Sequence, residues 1–183
     1  MLKKLMNDSI RIIDSMPIQV CKFLRDYFSK CFKDIASYGY CASKKETYFG
    51  LKLHALVTVD GFISDFFLTS ANVDDRSAVF ELVENKTSIK VIADKGYIDE
   101  NLKYQLENEK DILLISLKRK NSKNPLEKQL RNVLSKTRRR VETSFSQLAE
   151  QFNINKVLAK SKWGLMLRIT LKILAHNILF IVN

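Results

Sequence analysis

Residues 88–99, SIKVIADKGYID, decide how the rest of the chain is interpreted. The apolar, β-branched run at the start is typical of a strand that is buried on both faces. The strand ends at Asp94, and the Lys-Gly-Tyr that follows predicts a turn. Asp99 then predicts the N-cap of a helix over about 99–109. An aspartate at the end of a buried strand lies where α/β proteins place their sites, although capping of the turn is the simpler interpretation of Asp94 taken alone.

The length of the chain limits how many domains it can form. With 183 residues it can bury one sizeable core. We expect a single domain over 1–183, with its core at about 8–152 and a C-terminal helix at about 163–182. The three cysteines have no zinc or redox spacing and the N-terminus has no apolar signal segment. We therefore expect reduced thiols and a cytoplasmic location.

Positive charge is concentrated in the second half of the chain. Residues 1–100 hold 14 Lys/Arg and 14 Asp/Glu, whereas residues 101–183 hold 17 and 6. The excess is densest over 118–140, which has ten basic residues and a single acid, Glu127. A segregated basic segment is typical of a protein that binds a polyanion, and a solvated basic surface is the alternative. We expect nucleic acid as the partner.

The hydrophobic pattern alternates strands and helices, which predicts a five-stranded mixed sheet with helical crossovers. The predicted elements are a strand over 10–18, a hairpin over 48–70, a helix from 71–75 to about 84, the strand that ends at Asp94, a helix over 99–109 and a strand over 111–116. Residues 20–45 are predicted to be mostly irregular. Asp60-Gly61 in the hairpin predicts a type I′ turn. Asp74 and Asp75 are best explained as helix caps, and His54 as a structural histidine.

A long helix over about 126–152 follows the basic segment. Its apolar residues recur at i, i+3 and i+4, so one face should pack on the sheet. Glu142 borders this stripe, one turn after Arg138. A surface ion pair between the two is the simplest role for Glu142 considered alone.

The last helix, over about 163–182, is apolar enough to raise the question of a transmembrane segment. Arg168, Lys172 and His176 recur at i, i+4 and i+8 and form one polar stripe. Because charged residues in a membrane span are costly, we expect this helix to pack on the domain and not to enter a membrane.

Three acids indicate a common site when they are considered together. They are Asp14 in the first strand, Asp94 at a strand end and Glu142 on the long helix. We expect them to converge at one edge of the sheet, within about 12 Å of one another. Mg²⁺ and Mn²⁺ prefer carboxylate oxygens, and two such ions can activate a water or hydroxyl and stabilise the leaving oxygen of a phosphodiester. Without metal, repulsion among the acids should raise the pKa of at least one of them.

Four sequence blocks resemble the catalytic domain of DDE-type insertion-sequence transposases, which has an RNase H-like fold. They are IIDSMP, YFGLKLHALVTVDGFISDFFLTSANVDD, VIADKGYID and RRRVETSFSQL, and the resemblance spans about 10–181. It implies that Asp14, Asp94 and Glu142 are both the catalytic residues and the ligands of two Mg²⁺ or Mn²⁺ ions. The implied partners are insertion-sequence ends and target DNA, and the implied active form is a homodimer.

The basic segment supplies the side chains expected to contact DNA phosphates. They are Lys118, Arg119, Lys120, Lys123, Arg138, Arg139 and Arg140. Arg138 matches the family arginine one turn before the glutamate, whereas Ser135 and Ala149 stand where some relatives have a tyrosine and a lysine. Only 13 residues precede Asp14, so we expect the N-terminal DNA-binding region of family members to be missing.

Two alternatives to an active transposase domain follow from these observations. One is a catalytically silent, DNA-binding remnant of a transposase. The other is an RNase H-like nuclease that does not transfer strands.

Overall fold

One mixed sheet organises the part of the chain that the structure describes. The computed structural model describes residues 9–21, 32–42, 44–116 and 128–182, and these contain six strands. The strands are β1 Ile10–Cys21, β2 Ser37–Cys41, β3 Glu46–Thr58, β4 Ile63–Ser70, β5 Lys90–Ala93 and β6 Leu113–Ser116. Their order is β2-β3-β1-β5-β6, with β4 also paired to β3. β1, β5 and β6 are parallel, whereas β3 is antiparallel to β1, β2 and β4.

Helices cover both faces of this sheet. They are α1 Val79–Leu82, which follows a 3₁₀ turn at Asp75–Ala78, α2 Glu100–Lys110, α3 Lys128–Glu150 and α4 Lys162–Val182. Successive strand residues point to opposite faces, so Ile12 and Ile13 of β1 enter different cores. Ile12 packs with Val141 of α3 and Ile169 of α4, and Ile13 packs with residues of α1 and α2. The predicted α/β fold with a mixed sheet flanked by helices is confirmed, and it is consistent with an RNase H-like fold.

The sheet has one strand more than the five predicted. The additional strand, β2, lies in the segment over 20–45 that was predicted to be mostly irregular, and it pairs with the first part of β3. A Cβ atom at Gly39 in its centre would lie 2.8 Å from the Cβ of Ala71. Glycine is therefore required for close packing, but it also weakens the local strand pattern. The prediction was wrong because this strand depends on a distant neighbour.

The β3–β4 hairpin is present, but its turn is not the predicted type I′ turn. That turn needs a positive φ at both central residues, and of Asp60 and Gly61 only Gly61 has one, at 108°. The N–H of Gly61 donates to the carbonyl of Thr58 at 3.0 Å, and the N–H of Thr58 donates to the carbonyl of Phe62 at 2.8 Å. The strands are therefore joined by a longer loop over 59–62.

The connection from β4 to β5 contains less α-helix than predicted. A helix was expected to run to about residue 84, whereas the structure has the 3₁₀ turn Asp75–Ala78 and the single turn of α1. Asp74 is the N-cap, as predicted, because its side chain accepts from the backbone N–H of Arg76. Asp75 lies inside the 3₁₀ turn, so the capping role predicted for it was wrong.

α4 packs on the domain through its polar stripe as well as through apolar residues. His176 is fully buried, Arg168 donates to the carbonyl of Val157 at 2.8 Å, and the Nζ of Lys172 donates to the carbonyl of Phe152. In the described part of the chain, α4 is one helix that is long and apolar enough to cross a membrane. Of its most apolar 18-residue stretch, 22% is buried. The exposed side of α4 is largely apolar: it presents Leu167, Leu171, Leu174, Ile178 and Ile181.

Candidate active site

Two predicted site residues lie side by side at the point where the parallel pairing of β1 with β5 ends. The last residues that pair between the two strands are Ile13 and Ala93. Asp14 follows inside β1, which continues along β3, and Asp94 directly follows β5. Asp94 begins a 3₁₀ turn, but its side chain makes no capping hydrogen bond. The capping interpretation of Asp94 is therefore wrong, and its carboxylate is available at this edge of the sheet.

Glu142 is brought to the same edge by the packing of α3. Val141 beside it is fully buried between α3 and the sheet, and Leu134 packs against Ile92 of β5. The exposed fraction of the carboxylate side chains rises from 19% for Asp14 to 36% for Asp94 and 54% for Glu142. Asp14 therefore lies deepest and Glu142 faces the solvent.

Arg138 contacts all three carboxylates. Its Nη2 is 3.4 Å from Oδ2 of Asp14 and 3.5 Å from Oδ2 of Asp94. Its Nη1 is 3.4 Å from Oε1 of Glu142. The structure therefore brings the three predicted acids together around one guanidinium. Because Nη2 contacts both Oδ2 of Asp14 and Oδ2 of Asp94, these two oxygens also lie close to each other. The ion pair of Arg138 with Glu142 is present, but Arg138 also pairs with Asp14 and with Asp94.

Burial, more than repulsion, sets the acidity of Asp14. The pKa of Asp14 is raised to about 6, mainly by desolvation and to a smaller extent by the nearby charge of Asp94. The backbone N–H of Ser15, which donates to Oδ1 of Asp14 at 2.8 Å, and the guanidinium of Arg138 act in the opposite direction. The pKa of Asp14 is thus raised, as expected for one of several clustered acids, but the main cause is burial of its carboxylate and not repulsion by the other acids.

A fourth acid, Asp75, was missed by the sequence interpretation. Its Oδ1 accepts a hydrogen bond from Oγ of Ser15 at 3.1 Å and lies 3.0 Å from Nζ of Lys52. The sequence did indicate a second role for one of the adjacent residues Asp74 and Asp75, because only one residue can occupy the N-cap position of a helix. The second acid therefore needed another explanation.

His54, which was predicted to be a structural histidine, lies beside this acid. It is fully buried in β3, and its Nε2 is 2.8 Å from Oγ1 of Thr69. Burial lowers the pKa of His54 to about 4. The ring is therefore neutral at physiological pH, and the 3.7 Å between its Nδ1 and Asp75 is not an ion pair.

Two of the remaining basic residues can be placed. Arg139 and Arg140 are exposed on α3 beside Arg138. The other four predicted DNA contacts lie outside the described residues; they are Lys118, Arg119, Lys120 and Lys123.

Comparison with known proteins gives one family match. The family described as "Transposase DDE domain" matches residues 4–162 of the chain. A search of curated proteins gave no match. The matched span contains the edge of the sheet where Asp14, Asp94 and Glu142 meet.

Proposed function

The chain belongs to the transposase DDE domain family, and on this basis we propose that it is the catalytic domain of an insertion-sequence transposase. In the proposed reaction it cleaves DNA strands at the ends of the element and joins them to target DNA by transesterification. The proposed catalytic residues are Asp14, Asp94 and Glu142.

The observation that carries this proposal is the convergence of three carboxylates on the guanidinium of Arg138. A structural ion pair needs one carboxylate for each guanidinium, whereas three carboxylates around one arginine leave an excess of negative charge. Such an excess is costly at a partly buried site unless a cation neutralises it. The arrangement therefore suits the binding of further positive charge better than it suits structural stabilisation.

The donor set fits hard divalent cations, because all three side chains offer carboxylate oxygens. Within the described residues no three His, Cys, Asp or Glu side chains lie close enough to ligate one ion as they stand. The guanidinium of Arg138 contacts all three acids, so it must turn aside before they can do so. Its side chain is 25% exposed, which leaves a path toward solvent. We propose that Asp14, Asp94 and Glu142 hold two Mg²⁺ or Mn²⁺ ions.

When bound, these ions would supply Lewis-acid activation of the attacking oxygen and stabilise the leaving oxygen. The protein residues prepare the site for them. Asp14 must lose its proton first, and a pKa of about 6 leaves it mostly ionised at neutral pH. Arg138, one turn before Glu142, is well placed to bind the scissile phosphate after it leaves the carboxylates.

The basic surface is proposed to hold the DNA backbone on either side of this site. Arg139 and Arg140 are exposed on the same helix as Glu142. We propose that Lys118, Arg119, Lys120 and Lys123, which lie outside the described residues, also contact the DNA. Contacts with phosphates fix position and carry little sequence information. The proposed DNA partners are the element ends and the target duplex.

We propose a homodimer as the active form, with the exposed side of α4 as its contact surface. Leu167, Leu171, Leu174, Ile178 and Ile181 are separated alternately by four and three residues, which is the spacing of a coiled-coil seam. These five residues are 38–52% exposed, and Trp163 and Val182 near the two ends of the helix are 74% and 76% exposed. A second copy of the same helix is the proposed partner.

A nicking assay tests the proposed activity. The protein is incubated with supercoiled DNA and with duplexes carrying element ends, in Mg²⁺, Mn²⁺ or EDTA. Wild type should cleave only with metal, and Asp94→Asn should be inactive. Asp99→Asn is the matched control, because Asp99 caps α2 through the N–H groups of Asn101 and Leu102 and should be dispensable for cleavage.

The products distinguish the alternatives. Joined strands support a transposase, whereas hydrolysed ends alone indicate an RNase H-like nuclease. DNA binding without any cleavage by the folded wild type would contradict the proposal and indicate a catalytically silent remnant.

A further inference from the structure

A polar network beside the three acids is not explained by the proposed chemistry. Its centre is Asp75, whose Oδ1 accepts from Oγ of Ser15 at 3.1 Å and pairs with Nζ of Lys52 at 3.0 Å. The Nδ1 of the buried His54 lies 3.7 Å from the same oxygen. Asp75 is not needed to start its 3₁₀ turn, because Asp74 caps it. An acid with two strong partners and no capping role needs another explanation.

The first connection from Asp75 leads to Asp14. Ser15 donates its hydroxyl to Asp75 and its backbone N–H to Oδ1 of Asp14, the latter at 2.8 Å. Lys52 pairs with Asp75 and also donates to the carbonyl of Val73 at 2.8 Å. These bonds join β1, β3 and the loop after β4 at the level of the deepest acid.

The second connection leads to the turn that begins at Asp94. A Cβ added to Gly96 would lie 4.0 Å from Oδ2 of Asp75, so the carboxylate lies against this turn. Tyr97 is 1% exposed. Burial, with the charges of Asp75, Asp14 and Asp94, raises the pKa of Tyr97, which agrees with a phenol located among these acids.

We propose that Asp75 is a positioning residue that holds Asp14 and Asp94 side by side for cation binding. It acts on Asp14 through Ser15 and on Asp94 through the Lys95–Tyr97 turn, while Lys52 neutralises its charge. The inference rests on the proposed function, because it assumes that the acids bind a divalent cation. Partners behind metal ligands typically contribute 10–100-fold to metal affinity.

The test compares Asp75→Ala with Asp74→Ala in the full chain. Mn²⁺ affinity is measured by electron paramagnetic resonance and calorimetry, and thermal stability is measured in EDTA. Asp75→Ala should weaken Mn²⁺ binding by about tenfold or more. Asp74→Ala loses the cap and the ion pair with Arg76, so it should lower the melting temperature but keep the affinity within about twofold.

Two milder variants keep the test decisive if Asp75→Ala does not fold. Asp75→Asn retains an oxygen that can accept from Ser15, so it should recover part of the affinity. Ser15→Ala removes only the hydroxyl and should weaken Mn²⁺ binding several-fold.

The outcomes separate this inference from the proposed function. If wild type binds Mn²⁺ and the Asp75 and Ser15 variants bind it equally well, the positioning role is refuted while the proposed function stands. Equal losses in the Asp74 and Asp75 variants would also refute it, because they would reflect general destabilisation. Failure of folded wild type to bind Mn²⁺ at millimolar concentration would refute the proposed function and this inference with it.

Discussion

Arg138 occupies the position toward which three carboxylates point, and this makes it a competitor of any cation that binds there. Its guanidinium lies within 3.5 Å of oxygens of Asp14, Asp94 and Glu142. The same residue would be needed on the substrate phosphate once a metal has displaced it. A side chain with these two roles should have opposite effects on metal binding and on catalysis.

Arg138→Ala should therefore bind Mn²⁺ more tightly but cleave DNA more slowly. Loss of partly screened ion pairs worth ~1 kcal/mol predicts an affinity gain of about fivefold, measured by calorimetry. In EDTA the variant should melt at a lower temperature, because the acids lose their counter-charge. Arg139→Ala, an exposed neighbour, is the control and should leave Mn²⁺ affinity unchanged. Weaker Mn²⁺ binding by Arg138→Ala would show that the guanidinium supports the cation.

Asp14→Asn should stabilise the metal-free protein at neutral pH. The pKa of Asp14 is about 6 in the folded protein and about 3.9 in an unfolded chain. Folding therefore favours the protonated form, and wild type loses stability as the pH rises from about 4 to about 6. Asparagine does not ionise, so the difference in free energy of unfolding should grow over this window to about 2 kcal/mol. Urea unfolding in EDTA, followed by circular dichroism, measures it.

Asp74→Asn provides a control of opposite sign. The side chain of Arg76 lowers the pKa of Asp74 to about 2, so ionised Asp74 stabilises the folded state above about pH 4 and this stabilisation is lost as the pH falls toward 2. The variant should therefore be less stable than wild type at neutral pH, by a small amount because the site is exposed. A pH-independent difference for Asp14→Asn would contradict the assigned titration.

α3 combines the core and the site within a single helix. Val141 and Leu148 are buried in the core, while Glu142 turns toward the aspartates and Arg139 and Arg140 face solvent. Each position differs from the next by about 100° around the helix axis. Changes on the exposed face should therefore alter DNA binding without altering the fold.

Arg139→Ala and Arg140→Ala should each flatten the salt dependence of DNA binding. Loss of one phosphate contact lowers the log–log slope by about one unit. Fluorescence anisotropy over a salt series, on specific and random duplexes, measures this slope, and Lys103→Ala on the exposed side of α2 is the control. Charge reversal at Lys118, Arg119 and Lys120 should weaken binding to all duplexes alike. Tight, salt-insensitive binding to one sequence would show that the domain reads bases itself.

The described part of the chain presents two contrasting surfaces, a basic one at Arg139 and Arg140 beside the acids and an apolar one on α4. The charge excess suits a polyanion, since residues 101–183 hold 17 basic and 6 acidic side chains. The exposed side of α4 carries less charge. Arg168, although exposed, and Lys172 are directed to carbonyls of the segment before the helix. An apolar surface of this size is typical of an interaction site.

The double variant Leu171→Glu, Leu174→Glu should prevent self-association. Wild type should elute as a dimer at micromolar concentration in size exclusion with light scattering, and the variant as a monomer. The two leucines are each 52% exposed, so the changes should leave the fold intact by circular dichroism. Tyr104→Glu, at a 70% exposed position of α2, is the control. A monomeric wild type would contradict the proposed dimer.

The sequence was sufficient wherever the cause of a feature lies within a few residues. The buried strand before Asp94, the Asp99 cap and the stripe of α3 that borders Glu142 are all found, because burial pattern and capping depend on near neighbours. The α/β fold follows from the order of such elements. The same local reasoning identified the three acids as candidates, with the family resemblance supplying their roles.

Tertiary structure decided the features whose causes lie far apart in the chain. β2 forms where Gly39 meets Ala71, and α4 turns His176 inward, where its ring meets Gln147 of α3 at 3.1 Å. Arg138 reaches Asp14 across 124 residues, and Asp75 reaches Ser15 across 60. Local propensities contain no information about such pairs. The parallel register of β1 with β5 and the packing of α3 on the sheet bring Arg138 to the three acids. The antiparallel pairing of β1, β3 and β4 brings Asp75 to Ser15.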